Sequence, residues 1–541
     1  MDTNVSIIYY IASALLAFTV LGVAIRRNRR SLKYLRGPKP SSFWLGMPHY
    51  TFSREIISLD IVNRQLGDLR YQKEVGDKDF SWMTEYGSAW RINGVLGEEE
   101  LMVADPKALQ YILQTSGYRF PKKTEIVATF RFILGEGIVW AHGEQHQRHR
   151  KIMTPAFFAP QLRTFLSLFL RAENKVSQKW KDEILANDES EEPVLNVHKW
   201  LSRTTLDVIG EAGFDFDFGA LDESENPLNK IYDNLFVDST LYPRKSDIVF
   251  RAFWRYLPTT LVNFFRYLPS REYSRFRRFL DFIQDFAKTL VASSSAKGDG
   301  KDIMSREVID QISTILLAGH DTTASTLSWW LWELAKHPES QTKMREEVAA
   351  VRAKVEARGE TEFNIADLEG MSYMQATLKE GMRLHPIVWE LGRVAGQDDV
   401  IPLASPVTTK TGEEISSIPV KKGQYIHISI CGYNRLPSVW GDDAHEWNPD
   451  RFLNMDKAKQ TSVGVYANLL NFSAGIRGCI GWRFAVIEMQ AIAATLIENF
   501  EFALPPDYEK NKIKRMPTGV MAPMVDGNPN IWMGLKVKVL Q

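Results

Sequence analysis

The chain has 541 residues, 44% hydrophobic, 11% aromatic and 24% charged, a globular composition whose length would ordinarily hold roughly three or four domains. Sixty-six Lys and Arg cancel sixty-six Asp and Glu, which leaves no net charge with which to grip nucleic acid. The two cysteines, Cys431 and Cys479, exclude a disulfide framework and suit a reducing compartment where a thiolate persists.

Residues 5–25 are uncharged and mostly apolar, long enough to cross a bilayer as one helix. Arg26, Arg27, Arg29 and Arg30 follow at once, so the positive-inside rule places the rest of the chain in the cytosol. A cleaved secretory signal would carry its charge before the apolar run and a small-residue cleavage site after it. Both are missing, so a retained anchor over residues 1–30 is expected. Pro38 and Pro40 stiffen residues 31–48 into a hinge before a body at 49–541.

As far as Ile92 the pattern is mixed helix and short strand with little chemistry. Asp105-Pro106-Lys107 reads as a turn that opens a short amphipathic helix through Leu113. Residues 143–151 are strongly basic and helical in spacing. His146 and Arg150 stand four apart on one face, where both can hydrogen-bond an anionic group. His142 and His146 share that spacing, but a zinc-protease pattern puts a glutamate directly after the first histidine, and here that position is Gly143. A plain solvated basic helix is the other reading of this segment.

Residues 160–300 show interrupted helical periodicity, with an acidic loop at 188–192 and a flexible linker at 293–301. Between them, residues 241–268 interleave aromatics with arginines, a pattern that suits either core or a surface dipping into a membrane. A long helix is then expected from near Ser305 to His337, stopped by Pro338. Its centre, Ala318-Gly319-His320-Asp321-Thr322-Thr323, places small and polar residues in an apolar stripe. A glycine there costs about 1 kcal/mol relative to alanine, and threonine hydroxyls that bond the preceding turn bend the axis. The spacing therefore predicts a widened turn that admits a small ligand, with Asp321 and Thr322 as its proton path. A glycine for close helix–helix approach is the alternative.

Glu380-x-x-Arg383 closes another helix before Leu384-His385-Pro386, and Asn448-Pro449-Asp450-Arg451-Phe452 supplies a matching arginine. Glu380, Arg383 and Arg451 form a candidate buried charge triad, costly to desolvate and better suited to scaffold than to catalysis. Residues 393–435 read as short strands and turns. Near the C-terminus, residues 472–481 set Cys479 between Gly475, Gly478 and Gly481, with Arg477 two residues before it and Phe472 seven before. A thiolate metal ligand needs N–H donors, nearby positive charge and an apolar wall. The glycines let a backbone lie close to a flat ring, Arg477 can reach a carboxylate at its edge, and Phe472 can close one side. Residues 482–500 are helical, which puts Cys479 at a helix N-terminus, where the dipole favours a thiolate. Strand-like pieces end the chain at 531–539.

Taken in order, the anchor, the proline hinge, Ala-Gly-His-Asp-Thr-Thr, Glu-x-x-Arg, Pro-Asp-Arg-Phe and Phe-x-x-Gly-x-Arg-x-Cys-x-Gly resemble the cytochrome P-450 family over nearly the whole chain. The resemblance implies a mainly α fold with small β-sheets, one large haem-binding domain behind an N-terminal transmembrane helix. It implies iron protoporphyrin IX (haem b) with Cys479 as the axial iron ligand. Asp321 and Thr322 are then the acid–alcohol pair that delivers protons to dioxygen, beside Ala318 and Gly319. His146, Arg150, Arg393 and Arg477 fall where the family contacts the haem propionates, while Phe472, Gly475 and Gly481 shape the cysteine loop. Glu380, Arg383 and Arg451 become the structural triad. Two positions depart from the pattern: His146 stands where tryptophan is common, and Asp321 where glutamate is usual.

The implied activity is insertion of one oxygen atom from dioxygen into a lipophilic small molecule, by hydroxylation or epoxidation, in terpenoid-like secondary metabolism. Electrons would come from an NADPH-cytochrome reductase, with a cytochrome b-type donor as a second source. The anchor resembles that of microsomal fungal members, hence a single-pass endoplasmic reticulum protein with a cytosolic catalytic domain. The rival readings are a haem-thiolate isomerase or dehydratase that needs no dioxygen, and a non-enzymatic membrane haem-binding protein.

Overall fold

The computed structural model describes residues 32–39, 72–94, 98–186, 193–222, 254, 257–268, 271–295, 306–454 and 461–540. The expected anchor at residues 5–25, the acidic loop at 188–192 and most of 241–268 lie outside them. Among the described residues no helix is long and apolar enough to cross a membrane. The architecture is mainly helical with small sheets, and it divides into two compact units.

The smaller unit combines Lys78–Lys123 and Glu390–Ser429 with the described N-terminal residues. Helix α1 (Asp77–Tyr86) leads into it, and its sheet runs β1 (Ala89–Asn93), β2 (Glu99–Val103), β7 (Tyr425–Ser429), β4 (Glu390–Val394). β2 and β7 are parallel, and the two outer pairings are antiparallel. Every residue of β1, β2 and β7 is buried, which requires cover on both faces. The antiparallel pair β5 (Asp399–Thr408) and β6 (Glu414–Val420) completes the unit. The predicted Asp105-Pro106 turn is the start of α2 (Pro106–Gln110). The Asp105 carboxylate accepts the N–H groups of Lys107 and Ala108, both at 3.0 Å, and proline stands where no N–H is needed.

The larger unit takes Thr124–Trp389 and Ile430–Gln541. Its principal helices are α3 (Thr124–Leu134), α4 (Gly143–Met153), α5 (Leu166–Ala186), α6 (Val197–Phe214), α7 (Arg271–Ser295) and α8 (Arg306–Lys336), followed by α9 (Pro338–Ala357), α10 (Ser372–Leu384), α11 (Ile430–Asn434) and α12 (Trp482–Asn499). β3 (Val194–Asn196), β11 (Gly534–Val539) and β8 (Phe500–Ala503) form one small sheet, and β9 (Ile513–Pro517) with β10 (Met521–Val525) another.

α8 is the spine of this unit. Leu327, Trp329, Trp330, Leu331 and Leu334 are wholly buried along it. Trp330 Nε1 donates to Thr377 Oγ1 of α10 at 3.2 Å, and His385, just past α10, stacks on Trp329 with centroids 4.7 Å apart. α5 meets α12 through Phe169 and Phe484, edge to face at 5.0 Å. Proline at the first position of α9 ends the long helix where the sequence placed its stop.

Three expectations change. The first residues of the linker expected at 293–301 are helical, since α7 continues to Ser295, and the rest of it lies outside the described residues. The aromatic stretch before Leu268 is neither all core nor all surface: Trp254 is buried, whereas Phe264 and Tyr267 are largely exposed. Finally, α8 runs without a break through Gly319. The widened turn is absent because α6 crosses here, and a Cβ on Gly319 would stand 2.6 Å from Ile209 Cγ1. Glycine serves close approach of two helices.

Candidate active site

Two short 3-10 turns, Leu470–Phe472 and Gly475–Arg477, precede α12, with Gly481 as its N-cap. The Cys479 N–H donates to the Phe472 carbonyl at 2.8 Å, and Gly478 N–H to the Gly475 carbonyl at 2.9 Å. Gly475 adopts φ +62°, a conformation that a side chain would strain, so here the glycine is required by the turn. Gly481 sits at φ −93°, open to most residues, and acts through its place at the helix start.

The Cys479 side chain is exposed, yet desolvation by the surrounding protein pushes its thiol up. The Gly481 N–H and the Arg150 charge pull it back down. The sulfur is thus accessible, while protein packed around its loop still disfavours the charged form.

Arg150 reaches from α4 to the Gly478 carbonyl, and Arg477 Nη1 donates to the Ala141 carbonyl at 3.2 Å, just before α4. The structure thus brings Arg150, Arg477 and Cys479 together. His146 lies buried on α4, and the neighbouring His149 Nδ1 meets Gln311 Nε2 of α8 at 3.2 Å. Phe472 packs against Tyr466, ring centroids 6.1 Å apart. Arg393 is buried on β4 in the smaller unit, where its Nη1 turns to the Gly392 carbonyl at 3.0 Å.

On α8, Ala318 is exposed and Asp321 and Thr322 are half-buried, while Leu316, His320, Thr323 and Ala324 are buried. Ala318, Asp321 and Thr322 therefore form an accessible stripe at mid-helix, with buried residues on the opposite side. The Thr322 hydroxyl donates to the Ala318 carbonyl at 2.9 Å, and Thr205 of α6 donates to the His320 carbonyl at 2.9 Å. Behind the stripe, His198 Nε2 approaches Ser325 Oγ at 3.2 Å. Burial lowers the His198 pKa, against an opposing pull from the Asp321 carboxylate.

Glu380, Arg383 and Arg451 meet. Arg383 clasps Glu380 through Nε and Nη2, each at 2.8 Å, and both side chains are wholly buried. Arg451 Nε reaches Glu380 Oε1 at 3.1 Å, and the Asn448 N–H reaches the same oxygen at 2.9 Å. Sequence reasoning missed Asp443, which pairs with Arg451 Nη2 at 2.9 Å from eight residues upstream, with no helical spacing to mark it. It also missed Glu488, a fully buried carboxylate on α12 that reads in the sequence as one more polar position of a helix.

The Cytochrome P450 family model matches residues 62–527. The chain belongs to that family. Among curated relatives, the Cytochrome P450 monooxygenase claP of Ampulloclitocybe clavipes is 28% identical over 96% of this chain and 95% of its own length. The claU monooxygenase of the same fungus is 30% identical over 96% and 94%. Cytochrome P450 monooxygenase 205 of Postia placenta is 33% identical over 82% and 84%. This cytochrome P450 is an oxidoreductase, a monooxygenase, and membership in the family implies haem as its cofactor, a reductase as redox partner and a lipophilic substrate.

Proposed function

We propose that the protein is a membrane-tethered haem-thiolate monooxygenase in which Cys479 is the axial iron ligand. The observation that carries this reading is the accessible Cys479 side chain just before the start of α12, with Arg150 and Arg477 beside its loop. A sulfur donor, two guanidinium groups and a turn that needs glycine at Gly475 fit a flat, anionic, sulfur-ligated cofactor. When bound, haem supplies dioxygen activation, favoured by electron donation from a thiolate.

The chain's own residues bind, orient and move protons. Arg150, Arg477 and His146 are assigned to the propionates; for Arg393 that role rests on the family resemblance alone. Thr322 donates its proton to the Ala318 carbonyl, which leaves its oxygen lone pairs toward the open stripe of α8. On rotating away from the Ala318 carbonyl, the hydroxyl can give its proton to an acceptor in that space while its oxygen takes one from a neighbouring donor, and the Asp321 carboxyl, one residue away, is the assigned source. Ala318 carries no polar side chain into that space.

The substrate is assigned, from the family resemblance alone, as a lipophilic, terpenoid-like molecule of secondary metabolism; what the relatives support is the monooxygenase activity. Residues 5–25 are assigned as a single-pass anchor in the endoplasmic reticulum, with electrons reaching the cytosolic domain from NADPH through a reductase. The deciding experiment is the reduced carbon-monoxide spectrum of the purified protein and of Cys479→Ala. The thiolate-type Soret band is expected in the first and lost in the second; a band that survives refutes the ligand. Turnover is expected only with NADPH and reductase, and product formed without an electron donor would favour an isomerase or dehydratase.

A further inference from the structure

Asn434 ends α11, and none of its surface is exposed. Its main-chain carbonyl accepts Arg383 Nη1 at 2.9 Å. Its side chain points the other way, toward the cysteine loop. Oδ1 accepts the Leu470 N–H at 3.3 Å, and Nδ2 donates to Asn471 Oδ1 at 2.9 Å. Asn471 Nδ2 then donates to the Met382 carbonyl at 2.8 Å, one residue before Arg383. Met382–Arg383, Asn434 and Asn471 thus close a ring of hydrogen bonds between α10, α11 and the loop.

The polarity of this ring is fixed. A main-chain N–H can only donate and a main-chain carbonyl only accept, so Leu470 and Met382 dictate which way both amides point. The loop they hold is strained. Four non-glycine residues among those described have positive φ, and three of them are Ala467 at 52°, Asn468 at 58° and Ser473 at 57°. Such conformations cost of order 1–3 kcal/mol each and persist only where the surroundings over-determine them. α11 supplies that constraint with its last two residues. Tyr433 Oη donates to the Asn468 carbonyl at 3.1 Å, and Asn434 holds Leu470 and Asn471. The next residue, Phe472, accepts the Cys479 N–H at 2.8 Å.

We propose that Asn434 is a positioning residue for Cys479. Through Asn471 it fixes where the Phe472 carbonyl stands, hence the main-chain hydrogen bond of Cys479 and the direction of its sulfur. The charge triad reaches the ligand loop by this route, since Arg383 grips the same asparagine from behind. The inference rests on Cys479 being the iron ligand, whose donor strength depends on the hydrogen bonds that orient it.

The test compares purified full-length holoenzyme carrying Asn434→Ala, Asn434→Asp, Asn471→Ala or both alanines with the wild type. The readouts are the reduced carbon-monoxide Soret band and the ferric–ferrous midpoint potential. Asn434→Asp is the sharpest variant. It still accepts from Leu470 but turns a second acceptor toward Asn471 Oδ1, so one link of the ring must break. Each single variant is expected to shift the potential and move part of the population from the thiolate-type band to the thiol-type band. The double variant is expected to be no worse than the worse single, because both residues act in one relay.

Holoenzyme variants that unfold more easily but keep the wild-type band and potential would overturn the proposal and leave Asn434 a purely structural residue. Where Asn434→Ala yields no holoprotein, the half-buried Asn471 carries the same comparison. A wild type with no thiolate-type band is a different failure, because it removes the ligand assignment itself.

Discussion

Ile209 of α6 fills the space where a side chain on Gly319 of α8 would begin, with Cγ1 2.6 Å from the site of the missing Cβ. Two effects oppose each other at this point. Alanine in a helix interior gains about 1 kcal/mol over glycine, whereas overpacking a closed contact costs about 1–3 kcal/mol. Gly319→Ala is therefore expected to lower the unfolding midpoint. Adding Ile209→Val should recover part of that loss and give a non-zero coupling in a double-mutant cycle. Additive effects would mean that the two side chains do not compete for the same space.

Thr322→Ala removes one hydroxyl that bonds back to Ala318 and nothing that holds another element, among the hydrogen bonds described. Stability should change by no more than about 0.5 kcal/mol, since alanine is the better helix former. Haem content should stay at the wild-type level. The expected loss is in coupling: more of the NADPH consumed appears as hydrogen peroxide and less as oxidised product. Unchanged coupling, measured as product formed per NADPH, removes Thr322 from the proton path.

The charge triad predicts an order of severity. Arg383 makes two buried bonds to Glu380 and reaches the carbonyls of Asn434 and Ala444, also buried, and of Glu446, which is part-buried. Breaking such a pair leaves a buried charge uncompensated, at about 3–5 kcal/mol. Arg383→Ala is expected to abolish the folded holoprotein. Arg451→Ala should be milder, because Glu380 keeps its bidentate partner, and Asp443→Ala milder still, because that carboxylate is already in part solvated. The measurement is soluble haem-loaded yield. A folded but inactive Arg383→Ala protein would instead mark that residue as catalytic.

Glu488 gives the stability a definite pH dependence. Burial on α12 raises its pKa to about 8, and the Thr323 hydroxyl offsets this only in part. Neither carboxylate oxygen makes a hydrogen bond of good geometry among the described residues. Nearby Glu173 is raised by its own burial and, to a lesser degree, by the Glu488 charge, although Thr495 bonds it at 3.0 Å. The folded protein thus keeps a proton that the unfolded chain releases near the ordinary carboxylate value. Stability should fall as pH rises from that value toward about 8, by up to about 1.4 kcal/mol per unit for Glu488, and level off above it. Glu488→Gln, which stays neutral, should flatten that slope and unfold later than the wild type at the alkaline end. Parallel urea midpoints for the two proteins across the range would show that Glu488 does not titrate this way.

Local chemistry is legible in the order of the residues. The extent of the long helix and its stop at Pro338, the basic turn carrying His146 and Arg150, the pair Glu380 and Arg383, and the cysteine at a helix start all follow from spacings of a few residues. Within such distances, backbone sterics, capping and the helical repeat leave a regular imprint. The motif from Phe472 to Gly481 is what points to a sulfur ligand for a flat anionic cofactor, the role proposed for Cys479.

What that motif leans on was decided by tertiary structure alone. Gly319 reads as a weak point in a helix until Ile209 arrives from α6. Asp443 and Glu488 look like ordinary polar positions until one is found on Arg451 and the other sealed beneath Thr323. Asn434 acquires meaning only when α11 is set between Arg383 and the strained loop of Cys479. These partners lie on separate elements, or at spacings no repeat marks. Nothing in a backbone's local preferences records a partner that packing brings alongside, so the sequence by itself determined which chemistry is present, and the fold decided what holds it in place.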